Sequence, residues 1–176
     1  VSADGAPVSM TPLEASRAAR LPTVSRREVM VAATCLATVR FVHAATVTLP
    51  QVGSLADSLA GALRRGEPLL VLVSLKGCPF CDVARNHYLG PMRAQAQIDV
   101  VQVDMGSARS VRDFLGQALT QDQLIRRWQI KMAPTVLFFG RGGVEVAERL
   151  VGGSNSDFYG AYLDQRLETA RRVVRG

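Results

Sequence analysis

Two residues in this chain have the type and spacing for sulfur chemistry: Cys78 and Cys81, separated by Pro79 and Phe80. Three positions apart on a helix, they share a face and lie close enough to form a disulfide once oxidised. At a helix entrance, unpaired N–H groups and the macrodipole favour an anion, here the Cys78 thiolate. Lys76 adds nearby positive charge. Reactive thiols occupy such electropositive, accessible positions. On this reading Cys78 is the nucleophile. Cys81, one turn deeper, stays a thiol until it resolves a mixed disulfide.

That chemistry requires a helix beginning at Cys78, and the flanking residues supply one. The apolar run from Leu69, rich in Val and Leu, stops at Lys76-Gly77. It has the length and residue types of a fully buried strand. Gly77 permits a sharp turn. Pro79 suits the first helical position, where its missing N–H is not needed. The expected order is strand, turn, then a helix from Pro79 to Gln97, with a kink or break at Gly90-Pro91.

The remaining elements follow from pattern. Ser54 caps a helix carrying Leu55, Leu59 and Leu63, closed by Arg64, Arg65 and Gly66. Ile98 to Met105 reads as a second core strand, with Asp104 a turn residue at its end. Ser107 to Leu119 reads as a helix with Val111, Phe114, Leu115, Ala118 and Leu119 on its apolar side, although Gly116 argues against it. Thr120 and Gln123 form a capping box for another helix, with Leu124, Ile125 and Trp128 inward. Thr135 to Phe139 is a strand of β-branched and aromatic residues. Arg141-Gly142-Gly143 is a hairpin turn, and Val144 to Val151 its antiparallel partner. A last helix begins near Ser156 and carries Tyr159, Leu163, Leu167, Ala170 and Val174 on one side. The sum is an α/β fold in which a parallel half built on β-α-β crossovers meets an antiparallel hairpin.

Composition narrows the function classes. The formal charge is +6, from 21 Lys and Arg against 15 Asp and Glu. The basic residues are scattered, nearly all Arg, and form no stripe interleaved with aromatics, so nucleic acid is not an expected partner. Residues 1–22 are small, polar and broken by proline, the composition of a disordered leader. Then come Ser25-Arg26-Arg27-Glu28-Val29-Met30, an apolar stretch to Val39, Arg40, and Val42-His43-Ala44. This is the pattern of a secretory signal with cleavage after Ala44. The Ser-Arg-Arg-x-Val-Met string resembles the twin-arginine export signal. General secretion, an uncleaved membrane anchor and an ordinary buried helix are the alternatives. Cleavage would remove Cys35 and leave Cys78 and Cys81 as a matched pair, which an oxidising compartment tolerates. The expected organisation is a leader and signal over 1–44, a linker or short extended segment over 45–52 and one domain over 53–176, acting as a periplasmic monomer.

The assembled pattern resembles the thioredoxin superfamily. Cys78-Pro79-Phe80-Cys81 lies between a core strand and a helix, as a redox reading of the motif requires. Met132-Ala133-Pro134-Thr135 leading into a strand resembles the family segment in which a cis-proline opens the third core strand opposite the redox pair. Gly142-Gly143 and Gly152-Gly153 resemble its hairpin and terminal glycine. The resemblance implies a mixed central sheet with helices on both faces, and the Ser107 to Leu119 segment is then an extra helix between the second and third core strands. It also implies Cys78 as attacking thiolate, Cys81 as resolving thiol, Pro134 as the cis-proline and Ala133 as a backbone partner for a bound substrate chain. Phe80 is an expected contact for partner proteins, and Lys76, Gly77 and Pro79 support the site.

Departures are also visible. Gly77 stands where thioredoxins have Trp, and Leu72 stands where they have a buried acid. Pro-Phe is closer to the Pro-Tyr of glutaredoxins. With an export signal, the combination is similar to exported bacterial thioredoxin-like proteins, including those associated with sulfur oxidation (SoxW-like) and cytochrome maturation. The implied activity is thiol–disulfide oxidoreduction with protein thiols and disulfides, without metal or organic cofactor; an exported reductant would draw electrons from a membrane partner. The rival readings of the same cysteines are a structural disulfide, half a zinc site that only His87 and scattered carboxylates could complete, or a non-catalytic binding module or copper or zinc chaperone on the same scaffold.

Overall fold

The computed structural model describes residues 48–96, 98–153 and 156–176. The leader and signal read over 1–44 lie outside them. In chain order the elements are α1 (Leu55–Arg64), β1 (Leu69–Ser74), α2 (Pro79–Val83), a π-helical turn (Ala84–Leu89), α3 (Gly90–Ala96), β2 (Val100–Asp104), β3 (Ser110–Arg112), β4 (Ala118–Thr120), α4 (Gln121–Arg127), β5 (Thr135–Phe139), a 3-10 turn (Arg141–Gly143), β6 (Leu150–Val151) and α5 (Ser156–Arg175).

All six residues of β1 are buried. A strand covered on both faces reads as a continuous apolar run rather than an alternating one. It pairs in parallel with β2 and antiparallel with β5, which pairs antiparallel with β6, giving the sheet order β2-β1-β5-β6. Leu69, Val71 and Val73 enter one cluster with Leu55, Leu59, Leu124, Ile125 and Phe139. Leu70 and Leu72 enter the other with Leu89, Phe138, Tyr159, Leu163 and Leu167. Each such leucine side chain stabilises the fold by roughly 1.5–3 kcal/mol on burial. Beside β2, Gln102 N–H donates to Pro50 O at 2.9 Å and Val52 N–H to Gln102 O at 3.1 Å, which extends the sheet edge through the segment before α1.

Two expectations are corrected and one takes another form. Ser107 to Leu119 is not a helix but the β3–β4 hairpin. The Asp113 carboxylate accepts from the N–H groups of Leu115 and Gln117 at 2.9 and 2.8 Å, and Gly116 takes a φ of 83°. That local turn outcompetes helix formation. It buries Val111 and leaves Leu115 out in solvent. At Gly90-Pro91, where a kink or break is expected, the chain stays helical into α3 but leaves the regular α-helical pattern in the turn just before it. The widened turn ahead of it, where Gly90 N–H donates to Arg85 O, accommodates a proline that cannot donate and whose ring crowds a regular turn. Finally, the partner of β5 is shorter than Val144 to Val151: a bridge joins Phe139 to Glu145, and regular pairing resumes only at Leu150. Gly143, at φ 71° in the intervening turn, also lies so close to Phe114 that a Cβ would stand 2.4 Å from the ring.

Candidate active site

The site is made where β1 runs out. Gly77, at φ 76°, turns the chain, and Cys78 becomes the N-cap of α2 with Pro79 at the first helical position. Cys78 Sγ accepts from the Cys81 N–H at 3.2 Å, and the Cys78 carbonyl accepts from the N–H groups of Cys81 and Asp82 at 3.1 and 3.2 Å. The first sulfur therefore does the work that Ser, Thr or Asp does at an ordinary N-cap. It is half-buried; Cys81 is fully buried, and both are free thiols.

Opposite them, the Ala133–Pro134 peptide bond is cis. Ala133 O faces the Cys78 Sγ at 3.9 Å and accepts from its thiol. Thr135 Oγ1 donates to Met132 O at 2.8 Å, and Gly152 N–H donates to Pro134 O at 2.8 Å, so this bend is held on both sides. Gly153 fits between Phe80 and Pro134; a Cβ there would approach their side chains to 3.3 and 3.4 Å. Phe80, Met132 and Val151 all stand more than half exposed, on segments that frame the sulfur pair. Lys76 is exposed on the turn before it. Pro134 is buried under this surface and Ala133 half-buried.

Behind the pair the surroundings are different. Burial, then the hydrogen bond with Cys78, pushes the Cys81 thiol up to about 11. The position six residues before Cys78 is Leu72, fully buried and apolar. Polar groups near Cys81 come instead from Ser74, at the end of β1, and from the Leu75 backbone. Arg85, one turn beyond Cys81, donates to Ser74 Oγ at 3.1 Å, to Gln102 Oε1 at 2.9 Å and to Asp82 Oδ1 at 2.6 Å. Asp104, read as a turn residue, accepts from the amides of Gln102 and Gln51 at 2.6 and 2.9 Å. His87 is exposed. Among the described residues no group of three or more His, Cys, Asp or Glu side chains is arranged to hold a metal ion.

Sequence reasoning brought Cys78, Cys81, Phe80, Ala133 and Pro134 into one neighbourhood, named Gly153 only with the terminal glycine, and missed Ser74 and Arg85. The available signals were a hydroxyl ending an otherwise apolar strand and an arginine four residues after Cys81, on the same helix face.

Solved structures similar to the chain include a DsbH oxidoreductase (15% identity over 85% of this chain and 99% of that one, TM-score 0.48). Another is a putative thiol:disulfide interchange protein DsbE from Chlorobium tepidum (20% identity over 66% and 84%, TM-score 0.47). Thioredoxin f2 from Chlamydomonas reinhardtii is similar at 16% identity over 67% and 95%, with a TM-score of 0.45. No curated protein matches the sequence. The family model for the thioredoxin-like domain matches residues 55–167, from the first turn of α1 into α5, and the chain belongs to that family.

Proposed function

We propose that the protein is a thiol–disulfide oxidoreductase acting outside the cytoplasm on partner proteins. One observation carries the reading: a half-exposed sulfur caps a helix, with a buried second sulfur one turn on and a backbone carbonyl of a cis-proline bend beside it. The Cys78 thiolate attacks a partner disulfide; one partner sulfur leaves and the other is bonded to Cys78. Cys81 then loses its proton and attacks Cys78 Sγ. The bond to the partner breaks, Cys78 and Cys81 are joined, and the partner leaves as a second thiol. Two electrons move from the pair to the partner, and the reverse sequence oxidises a partner dithiol. Ala133 and Pro134 receive the partner's backbone, and Phe80, Met132 and Val151 receive its apolar side chains.

Export is supported by the Ser25 to Ala44 pattern alone, and it makes the protein similar to the SoxW-like members of the family, with a membrane dithiol as electron source. Turnover of insulin disulfides with an added dithiol tests the activity. The wild type turns over, and Cys78→Ser falls to the uncatalysed rate. A Cys78→Ser protein with full turnover would end this reading. Attaching residues 1–47 to a reporter tests export: the fusion reaches the periplasm, and Arg26→Lys/Arg27→Lys keeps it in the cytoplasm.

A further inference from the structure

The glycines that follow β6 border a second cleft, of about 340 Å³, lined on one side by residues 148–153 and on the other by Tyr159, Tyr162 and Arg166 of α5. Gly153 stands against Phe80 and Pro134, so one end of the cleft adjoins the surface around the sulfur pair. Arg166 is its poorly satisfied cation. The side chain is 20% exposed, the guanidinium lies over the Tyr162 ring at 5.7 Å, and Nη2 donates to Glu148 Oε2 at 2.9 Å. Its Nε is buried without an acceptor. Glu148 is 80% exposed, so water competes for its carboxylate and the pair is weak. Arg149, the other cation of the cleft, has all three nitrogens engaged by Glu145 and by Trp128 O. Tyr159 is 5% exposed, and its hydroxyl too is buried without a partner. A buried donor without an acceptor is costly, and a carboxylate carries the two oxygens that match a guanidinium fork.

We propose that this cleft receives an acidic side chain of the partner protein, an Asp or Glu flanking the partner's reactive cysteine, and that Arg166 selects it. The inference rests on the oxidoreductase reading and narrows its substrate class. The partner's carboxylate takes the guanidinium donors that Glu148 leaves unused, while the Tyr162 ring holds the guanidinium in one orientation. Glu148 competes for the same group and so sets how strong the selection is. The reach fits a flanking residue. Tyr159 and Gly153 border Phe80, at the end of the cleft nearest the sulfurs. Arg166 stands two turns further along α5, about 10 Å away. About three extended residues span that distance, which puts the acid about three to five residues from the partner's cysteine.

Single-cysteine peptides, loaded from a small aromatic disulfide so that the sulfur bears a coloured leaving group, test this by rapid mixing. Cys78 attacks the peptide sulfur, the bond to the aromatic sulfur breaks and the coloured thiolate is released. Each peptide is made with Glu or with Gln at one position, moved through those three to five residues on either side of the cysteine, and the readout is the ratio of the two rates. At the best position the wild type favours Glu about tenfold. Arg166→Gln brings that ratio to about one, and Glu148→Gln raises it about threefold. Arg166→Lys keeps the charge without the fork and retains a preference of only about threefold. A wild-type ratio near one at every position, or a preference that survives Arg166→Gln, overturns the inference and leaves the oxidoreductase reading standing. If both rates fall together in Arg166→Gln and the ratio is kept, Arg166 acts through packing and the inference is again wrong. If the wild type releases no coloured thiolate from any peptide or from the small aromatic disulfide itself, the oxidoreductase reading fails.

Discussion

The two sulfurs sit one helical turn apart in opposite settings. Cys78 faces a surface: an N-cap, the Ala133–Pro134 bend and apolar side chains open to solvent. Cys81 faces the interior: it is fully buried, with Ser74, the Leu75 backbone and Tyr159 about it. The first setting suits a group that must meet a partner. The second suits a group that must stay protonated until the first has reacted. A strand–turn–helix junction creates both at once, because the helix starts at the end of the central strand β1 and its turn puts position 81 on the buried side while positions 80, 82 and 83 face solvent.

The sharpest way to disturb this contrast is to put charge on the buried side. Leu72→Asp places a carboxylate where the structure offers apolar neighbours, and it destabilises the reduced protein by about 3 kcal/mol near neutral pH, read by denaturant unfolding. An unfolding curve like that of the wild type would show that the interior tolerates an acid and that the contrast is overstated. The next effect comes from Cys81 itself. Its thiol is raised from an ordinary 9.0 to about 11, so folding favours the protonated form. The stabilisation is fully present below pH 9 and is lost as pH rises toward 11, amounting to roughly 2–3 kcal/mol. Oxidised protein, in which neither sulfur titrates, lacks this loss. Equal alkaline sensitivity of the two forms would contradict it. The smallest effect belongs to the surface side. Gly153→Leu crowds Phe80 and Pro134 and slows reaction with a protein disulfide about tenfold, leaving the small aromatic disulfide nearly unaffected. Equal slowing of both substrates would locate the damage at the sulfur rather than at the docking surface.

The same contrast explains what could be read from the chain. The junction from Leu69 to Cys81 was legible because its signals are local: an apolar run, a turn glycine, a helix-starting proline. The Thr120 box and the apolar side of α5 were legible for the same reason. The β3–β4 hairpin was misread because Val111, Phe114 and Ala118 fit a helical period, while the Asp113 carboxylate that closes the turn gives no periodic signal. Ser74 and Arg85 were passed over because their importance arises from tertiary approach. One ends a strand, the other follows Cys81 by a turn, and only the fold places a guanidinium over that hydroxyl. Gly153 acquires its role the same way, between residues brought from two other segments.

The division of labour between the sulfurs is tested most directly by trapping. Cys81→Ser and Cys78→Ser proteins are each mixed with a disulfide-bonded substrate protein, quenched in acid, digested without reductant and analysed by mass spectrometry. The account predicts a substrate peptide bonded to Cys78 in the Cys81→Ser protein and none bonded to Cys81 in the Cys78→Ser protein. Substrate captured on Cys81 as fast as on Cys78 would contradict it.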